Sequence, residues 1–450
     1  KHCYMLESVE NRTKRGRYTF LGYDPTLEIT CRDGHLTMRC CGTEMSEETD
    51  DPTASIRKIL ADNKAPKIEG LPPFAGGLVG YFSYEYLNYT EPELFREDEK
   101  DEEKFNDLDL MLFENVICFD NYRQKIILIA NIRVDDPGEV KNEYEKGIVR
   151  IGSMEDLIKN GKPADDEPLK LLTPMKEMFS EEEYCGIVEK TKEYIKEGDI
   201  FQAVLSNRLE AEIEGSLLDT YRVLRTTNPS PYMFYFSGQD IEMAGASPET
   251  LAKLEDGEVS TFPLAGTRPR GKTDEEDAEL EKDLLSDEKE LAEHNMLVDL
   301  GRNDIGKIAE IGSVKVEKYH EIERFSHVMH IGSTVKGKLA REMDAADVVS
   351  SILPAGTLSG APKIRACEII SELEGERRGI YGGAIGYLDL TGNLDTCIGI
   401  RLAFAKNNKL FIRSGAGIVL DSVPKSEYKE CGNKARAVVD AVYEAEGGID

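Results

Sequence analysis

The chain has 450 residues, 56 Lys and Arg against 86 Asp and Glu, a formal net charge of −30, and 40% hydrophobic residues. That charge argues against nucleic acid, whose binding rests on basic patches and counterion release, and against an anionic membrane surface. The hydrophobic share excludes a disordered acidic tail or a fibrous repeat, and the length holds two or three domains' worth of core.

Nine cysteines, an odd number with no CxxC spacing, exclude a disulfide framework and a zinc ribbon, so a reducing cytoplasm is the expected compartment. No apolar run approaches the ~18 residues of a membrane span, and no signal-peptide pattern opens the chain.

In chain order, residues 17–42 alternate apolar and polar side chains around Asp24-Pro25 and Asp33-Gly34, which predicts strands joined by hairpin turns. Glycines crowd PPFAGGLVGYFSYEY (72–86), as in a close-packed or bent strand. The charge run 96–109 reads as a solvated loop, and 114–132 as two strands around Asp120-Asn121. Residues 1–155 form a first region, and the polar segment 156–179 reads as a linker. Ser180 followed by Glu183 predicts a capping box opening a helix that Gly198 ends. The larger region 180–450 mixes strands and helices and closes on an amphipathic helix over 426–446. The fold class is α+β.

Three patterns carry chemistry on paper. GTRPRGKT (266–273) satisfies a phosphate-loop pattern, but a block of acids follows it and Pro269 removes an amide from the cradle. His327 and His330, preceded by His320, lie in a β-branched, glycine-containing segment; on a strand, residues three apart face opposite ways and cannot share a zinc ion. Glu290 with Glu293, and Glu427 with Glu430, are each spaced to share one helical face. Four such carboxylates would suit Mg2+, although the spacing also arises by chance among 86 acids.

Eight segments in order, GASPETL (245–251), PLAGTRPRG (263–271), DEKELAEHNMLVDLGRNDIG (287–306), FSHVMHIGSTVKG (325–337), GTLSGAPKIRA (356–366), RRGIYGGAIGY (377–387), DTCIGIR (395–401) and RSGAGIVLDSVPKSEYKECGNKARAV (413–438), resemble those of the chorismate-utilising enzymes. Together with MLES (5–8) and RYTFLGYDP (17–25), they most resemble the large subunits of anthranilate synthases. The resemblance implies a layered α/β sandwich of large, mainly antiparallel sheets flanked by helices, with the active site between them. It implies the conversion of chorismate and ammonia to anthranilate and pyruvate through aminodeoxyisochorismate.

By the same resemblance, Glu293 and Glu430 match direct Mg2+ ligands and Glu290 and Glu427 match carboxylates holding metal-bound water. Glu249 matches the general acid, His330 a histidine beside the reaction centre, and Thr357, Gly266 and Thr267 substrate-lining positions. Arg401, Tyr381, Gly415, Gly417 and Lys434 match the receptor of the enolpyruvyl carboxylate, while His327 is implied to be structural. Ala265 stands where aminodeoxychorismate synthases carry a nucleophilic lysine, and Gln202 where water-adding relatives carry a base lysine. Both point toward anthranilate synthase and away from the folate-pathway alternative.

Glu7, Ser8, Pro231, Tyr232, Met233 and Tyr387 match a regulatory pocket for tryptophan, which implies feedback inhibition. No GxCxG element of a glutamine amidotransferase is present, so a separate glutaminase subunit is implied, giving a hetero-oligomer. Free ammonium salts are expected to replace that partner. A catalytically inert scaffold is disfavoured by the full set of matched acids, His330 and Arg401.

Overall fold

A computed structural model describes residues 1–9, 15–94, 99–162, 167–324 and 328–449. The first region contributes β1 (Cys3–Glu7), β2 (Tyr18–Tyr23), β3 (Leu27–Arg32), β4 (His35–Cys40), β5 (Thr43–Glu48), α1 (Pro52–Asp62), β6 (Gly77–Phe82), β7 (Leu108–Phe113), β8 (Asn115–Asp120), β9 (Lys125–Ala130) and α2 (Val140–Asn160). There follow β10 (Lys170–Leu171), β11 (Lys176–Glu177), α3 (Glu181–Glu197), β12 (Gln202–Glu214), α4 (Leu218–Thr227), β13 (Tyr232–Ser237), β14 (Ile241–Ser247), β15 (Thr250–Glu255), β16 (Glu258–Thr261) and β17 (Leu264–Pro269). The chain continues through α5 (Asp274–Ser286), α6 (Glu288–Gly306), β18 (Lys315–Arg324), β19 (Val328–Lys338), α7 (Ala345–Ile352), β20 (Gly360–Ala361) and α8 (Lys363–Glu374). It ends with β21 (Ala384–Asp389), β22 (Leu394–Ile398), β23 (Leu402–Lys406), β24 (Lys409–Ile418) and α9 (Pro424–Ala445).

Among the described residues these strands build two 12-stranded sheets. The first runs β10-β12-β24-β23-β14-β13-β1-β2-β8-β9, with β11 and β20 also on β12; the second runs β17-β19-β16-β15-β22-β21-β6-β7-β3-β4-β5, with β18 on β19. The named ladders are antiparallel, as in β1 against β13 and β6 against β21. Each sheet therefore takes strands from both the 1–155 and 180–450 regions.

Period-2 geometry explains how the layers stack. On β13, β14 and β23, Phe234, Phe236, Met243 and Phe404 join Tyr81, Phe113 and Ile385 of the second sheet in one cluster between the sheets. Their sequence neighbours Met233, Ala244 and Ala403 point the other way, onto Leu224 of α4 and Val438 and Val442 of α9. A second helical layer, including Val298 and Ile305 of α6 and Val349 of α7, covers the outer face of the second sheet. Strands buried on both faces lose the polar alternation of a half-exposed strand, and GLVGYF and LDLMLF are buried throughout. Among the described residues, no helix is long and apolar enough to cross a membrane.

Local signals are realised closely. Asp33-Gly34 closes a hairpin between β3 and β4, and Ser180 and Glu183 form the reciprocal capping box of α3, which ends on Gly198 at φ 88. Three readings are corrected. Asp24-Pro25 is not a hairpin: β2 pairs with β1 and β8 in one sheet, while β3 pairs with β4 and β7 in the other. The segment 156–179 is not simply a linker, because its first residues finish α2 and its β10 and β11 pair with β12. Residues 96–98 of the charge run and His327 lie outside the described residues, and the later part of the run is not a solvated loop, because Glu103, Phe105 and Asp107 are buried and Leu108 and Asp109 open β7.

Candidate active site

The site grows from two places where the chain crosses between the sheets. Pro248-Glu249 links β14 of the first sheet to β15 of the second, and Gly399–Arg401 links β22 of the second to β23 of the first. The crossings run side by side, with the Ala246 amide donating to the Arg401 carbonyl at 3.0 Å and the Ile398 amide to the Glu249 carbonyl at 3.0 Å. Arg401 makes its bend at φ 53, unusual for a residue with a side chain. Glu249 and Arg401 thus arrive together because both sit where strands leave their ladders.

Thr357, in the short 3-10 turn Gly356–Leu358, donates its hydroxyl to Glu249 Oε1 at 3.1 Å. Glu249 is half-buried, but its carboxyl group is enclosed. Desolvation pushes its pKa up to about 7, against the opposing pull of the Thr357 hydrogen bond and the Lys434 ammonium. A carboxyl group so placed carries its proton at near-neutral pH and can act as an acid.

His330 lies on β19 opposite Thr267 of β17. Its Nδ1 is 2.9 Å from the Gly266 carbonyl oxygen and 3.1 Å from Thr267 Oγ1. A carbonyl only accepts, so Nδ1 carries the proton and Nε2 is the basic nitrogen of the neutral ring. Burial, then the Arg401 and Lys434 charges, hold its pKa below the ordinary histidine value, while the Gly266 contact opposes them. Gly266 is the extra residue of a bulge in the β17–β19 ladder, at φ +71, a conformation glycine adopts without strain.

Lys434, on α9, donates to the Gly415 carbonyl at 3.0 Å and pairs with Glu430 at 2.7 Å. Arg401 donates to the Lys434 carbonyl, and desolvation holds its pKa below the ordinary arginine value. Tyr381 is buried, with its hydroxyl 2.8 Å from where a β-carbon on Gly415 would lie. A β-carbon on Gly415 would also meet the Leu205 carbonyl oxygen at 2.6 Å, so close approach of the backbone requires glycine there, while one on Gly417 would meet only the movable end of the Gln202 side chain.

The acidic pairs lie on α6 and α9. Glu293 and Glu427 have raised pKa values, through desolvation first and then their acidic helix neighbours Glu290 and Glu430. Lys434 of α9 acts on Glu293 of α6, and Lys289 of α6 on Glu427 of α9. Four oxygen donors, two of them desolvated against a like charge, fit a hard divalent cation in kind. Their placement is looser: among the described residues no three His, Cys, Asp or Glu stand as a metal-holding group. Lys434 occupies Glu430, and Arg268 Nη1 lies 3.4 Å from Glu290.

A separate cavity of about 560 Å³ gathers all six residues matched to the regulatory pocket: Glu7, Ser8, Pro231, Tyr232, Met233 and Tyr387. Glu7 is held by Arg225 at 2.5 Å and by the Tyr221 hydroxyl, while the buried Ser8 hydroxyl has no hydrogen-bond partner among the described residues. Tyr232 donates to Asp395 at 2.8 Å and shares a 2.9 Å hydrogen bond with Thr250, the neighbour of Glu249. A small space of about 30 Å³ adjoins Glu249 and Thr357.

The phosphate-loop pattern forms no cradle. Its Gly271 amide donates to Asp277 at 2.8 Å and its Lys272 amide to Glu276 at 2.8 Å, so acids of α5 consume the donors. Sequence reasoning passed over Ser247, whose hydroxyl accepts the Glu249 amide at 3.4 Å and donates to Ile398 at 2.8 Å. It also passed over Arg268, which ties β17 to Asp283 at 2.6 Å and Asp287 at 2.8 Å. Both lie within quoted motifs, where position alone could have drawn notice.

A family model for chorismate binding enzymes matches residues 1–440. Anthranilate synthase component 1 of Acetivibrio thermocellus is 44% identical over 452 residues, covering 98% of this chain and 90% of that protein. The chain belongs to the anthranilate synthase component 1 family of chorismate binding enzymes. Its counterpart in Pseudomonas aeruginosa is also 44% identical, over 100% of this chain and 92% of that protein. The crystal structure of anthranilate synthase component I from Streptococcus pneumoniae matches with a TM-score of 0.81 and 39% identity, over 96% of this chain and 93% of that one. The sandwich of antiparallel sheets is thus the fold of this family. A menaquinone-specific isochorismate synthase of Escherichia coli, 18% identical with a TM-score of 0.72 over 98% of this chain and 89% of that one, shares the fold alone.

Proposed function

We propose that this chain converts chorismate and ammonia to anthranilate, pyruvate and water. The observation that carries this reading is the convergence of Glu249, Thr357, His330, Arg401 and Lys434 in a chain 44% identical to anthranilate synthase component 1. Glu249, protonated near neutrality, gives its proton to the C4 hydroxyl, which leaves as water while ammonia forms a bond at C2. In the second step the C2–H bond breaks, its electrons form the aromatic C2–C3 double bond, and the C3–O bond breaks to release the enolate of pyruvate, whose methylene carbon takes up a proton to give pyruvate. His330, neutral with a basic Nε2, suits the proton of this step. Ala265, buried on β17, offers no nucleophile for covalent capture at C2, which disfavours the aminodeoxychorismate synthase reading.

Arg401 and Lys434, with Tyr381 and the Gly415–Gly417 backbone, would receive the enolpyruvyl carboxylate. Replacing Arg401 by Lys loses the planar fork, so the KM for chorismate should rise about 10-fold or more with a smaller change in kcat. Steady-state kinetics checks this; an unchanged KM would remove Arg401 from substrate binding. Glu293 and Glu430 would hold Mg2+ directly, with Glu290 and Glu427 oriented on its water, and Lys434 would then have to release Glu430. Such an ion supplies positive charge for the ring carboxylate.

Ammonia would come from a glutaminase subunit. The purified chain should therefore produce fluorescent anthranilate from chorismate, Mg2+ and ammonium, and none from glutamine alone. No anthranilate with ammonium would sink the proposal.

The second cavity would take tryptophan as a feedback inhibitor, with the unpartnered Ser8 hydroxyl offering a hydrogen bond. The chain contains no tryptophan, so indole fluorescence comes from the ligand alone. Its anisotropy should rise saturably on adding protein, and anthranilate formation should fall over the same concentration range. Activity unchanged at saturating tryptophan would contradict this regulatory role.

A further inference from the structure

We propose that Arg378, which lies behind the site and touches none of the groups assigned to chorismate except the back of Tyr381, is the positioning residue that sets the walls of the active site. The inference rests on the reaction proposed above and concerns how its groups are held.

Arg378 is 2% exposed. Its guanidinium forks onto Glu374, with Nε donating at 2.9 Å and Nη2 at 2.6 Å. Nη1 then donates to the Leu358 carbonyl at 2.7 Å, and Nη2 also donates to the Val204 carbonyl at 2.6 Å. Its Cζ lies 4.7 Å from the centroid of the Tyr84 ring and 5.7 Å from that of Tyr381.

These two carbonyls belong to the walls of the site. Leu358 follows Thr357, the donor to Glu249. Val204 lies opposite Gly417 in the β12–β24 ladder, beside the carboxylate receptor. The need for a side chain here comes from the ladder. β20 pairs with β12 only through Gln202–Ala361 and Ala203–Gly360. The Val204 amide still reaches the Ser359 carbonyl at 2.8 Å, but the Ser359 amide, which would return the bond, turns back to Gly356 at 3.4 Å, and that of Leu358 turns back to Ala355 at 3.0 Å, to form the turn carrying Thr357. The Val204 carbonyl is thereby left without its ladder donor, and Arg378 supplies one while gripping Leu358 from the same plane.

A buried ion pair is weak reason by itself to keep an arginine, since apolar replacements are often neutral in stability. A planar group that addresses one carboxylate and two carbonyls at once has no substitute in lysine, a point charge on a flexible stem. The arrangement therefore reads as positional, with one rigid group referencing the Thr357 turn, the Gly417 strand and the Tyr381 ring to one another.

The test is Arg378→Lys, with Arg378→Met/Glu374→Gln as a second variant that removes the arginine together with its carboxylate and leaves buried Arg413 paired with Glu376 at 3.1 Å. Each is measured for thermal unfolding, for kcat and KM with chorismate, and for the pH profile of kcat. The expected result is a folded protein with kcat lowered about 10-fold or more and the alkaline limb of the profile moved to higher pH. That shift follows because a weakened Thr357 hydrogen bond no longer lowers the Glu249 pKa. An unmoved limb, with activity falling only in proportion to the folded fraction, would make Arg378 a stability residue and overturn the proposal, as would failure of both variants to fold. A wild-type chain that makes no anthranilate would instead refute the reaction itself, and this proposal with it.

Discussion

Glu249→Gln is expected to lower kcat for anthranilate formation by about 10²–10⁴-fold while changing the KM for chorismate little. The amide keeps the shape and can still accept the Thr357 hydrogen bond, but it has no proton to give to the departing hydroxyl. The pH dependence has a definite sign. The acid works when protonated, and its pKa is raised to about 7, so wild-type kcat should fall as pH rises through about 7. Stability follows the same linkage. A carboxyl whose folded pKa lies above its unfolded one makes the native state bind more protons between the two values, so its contribution declines as pH rises through that window. By pH 8 the buried charge costs on the order of 3 kcal/mol at most, and Glu249→Gln escapes that cost. Thermal unfolding should show the variant gaining on the wild type between pH 5 and pH 8. A parallel pair of stability curves, together with preserved kcat, would remove Glu249 from the role of acid.

Chelation of divalent cations should abolish anthranilate formation, and Mg2+ should restore it saturably. Glu293→Gln and Glu430→Gln should resist rescue, whereas Glu290→Gln and Glu427→Gln should need about 10–100 times more Mg2+, as expected of carboxylates acting through water. The present contacts sharpen the test. Glu430 is paired with Lys434, so Lys434→Met should leave metal binding intact or tighter even while substrate binding suffers. Isothermal titration with Mg2+ in the presence of chorismate reads this directly. Full activity in the presence of chelator would contradict the role given to the four carboxylates.

Features whose physics is local were legible in the sequence: the Asp33-Gly34 hairpin, the capping box of α3 and the helices carrying Glu290–Glu293 and Glu427–Glu430. Asp24-Pro25 misled because a polar turn between two alternating strands looks the same whether the strands pair or enter different sheets. The site itself was legible through resemblance. Glu249 and Arg401 are about 150 positions apart, and only the two sheet crossings bring them together. Carboxylate spacing on α6 and α9 would equally describe a solvated face, and nothing in it reports the desolvation that raises Glu293 and Glu427. Arg378 stood within the quoted RRGIYGGAIGY, but its role was not legible, for a different reason. Its decisive partners are main-chain carbonyls of Val204 and Leu358, and an unmet ladder bond leaves no mark on side-chain identity.

The most direct test of the central claim is product analysis by mass spectrometry after supplying the purified chain with chorismate, Mg2+ and isotopically labelled ammonium. The account predicts anthranilate carrying the label, with pyruvate released in equal amount. Labelled 4-amino-4-deoxychorismate, or unlabelled isochorismate, would contradict it.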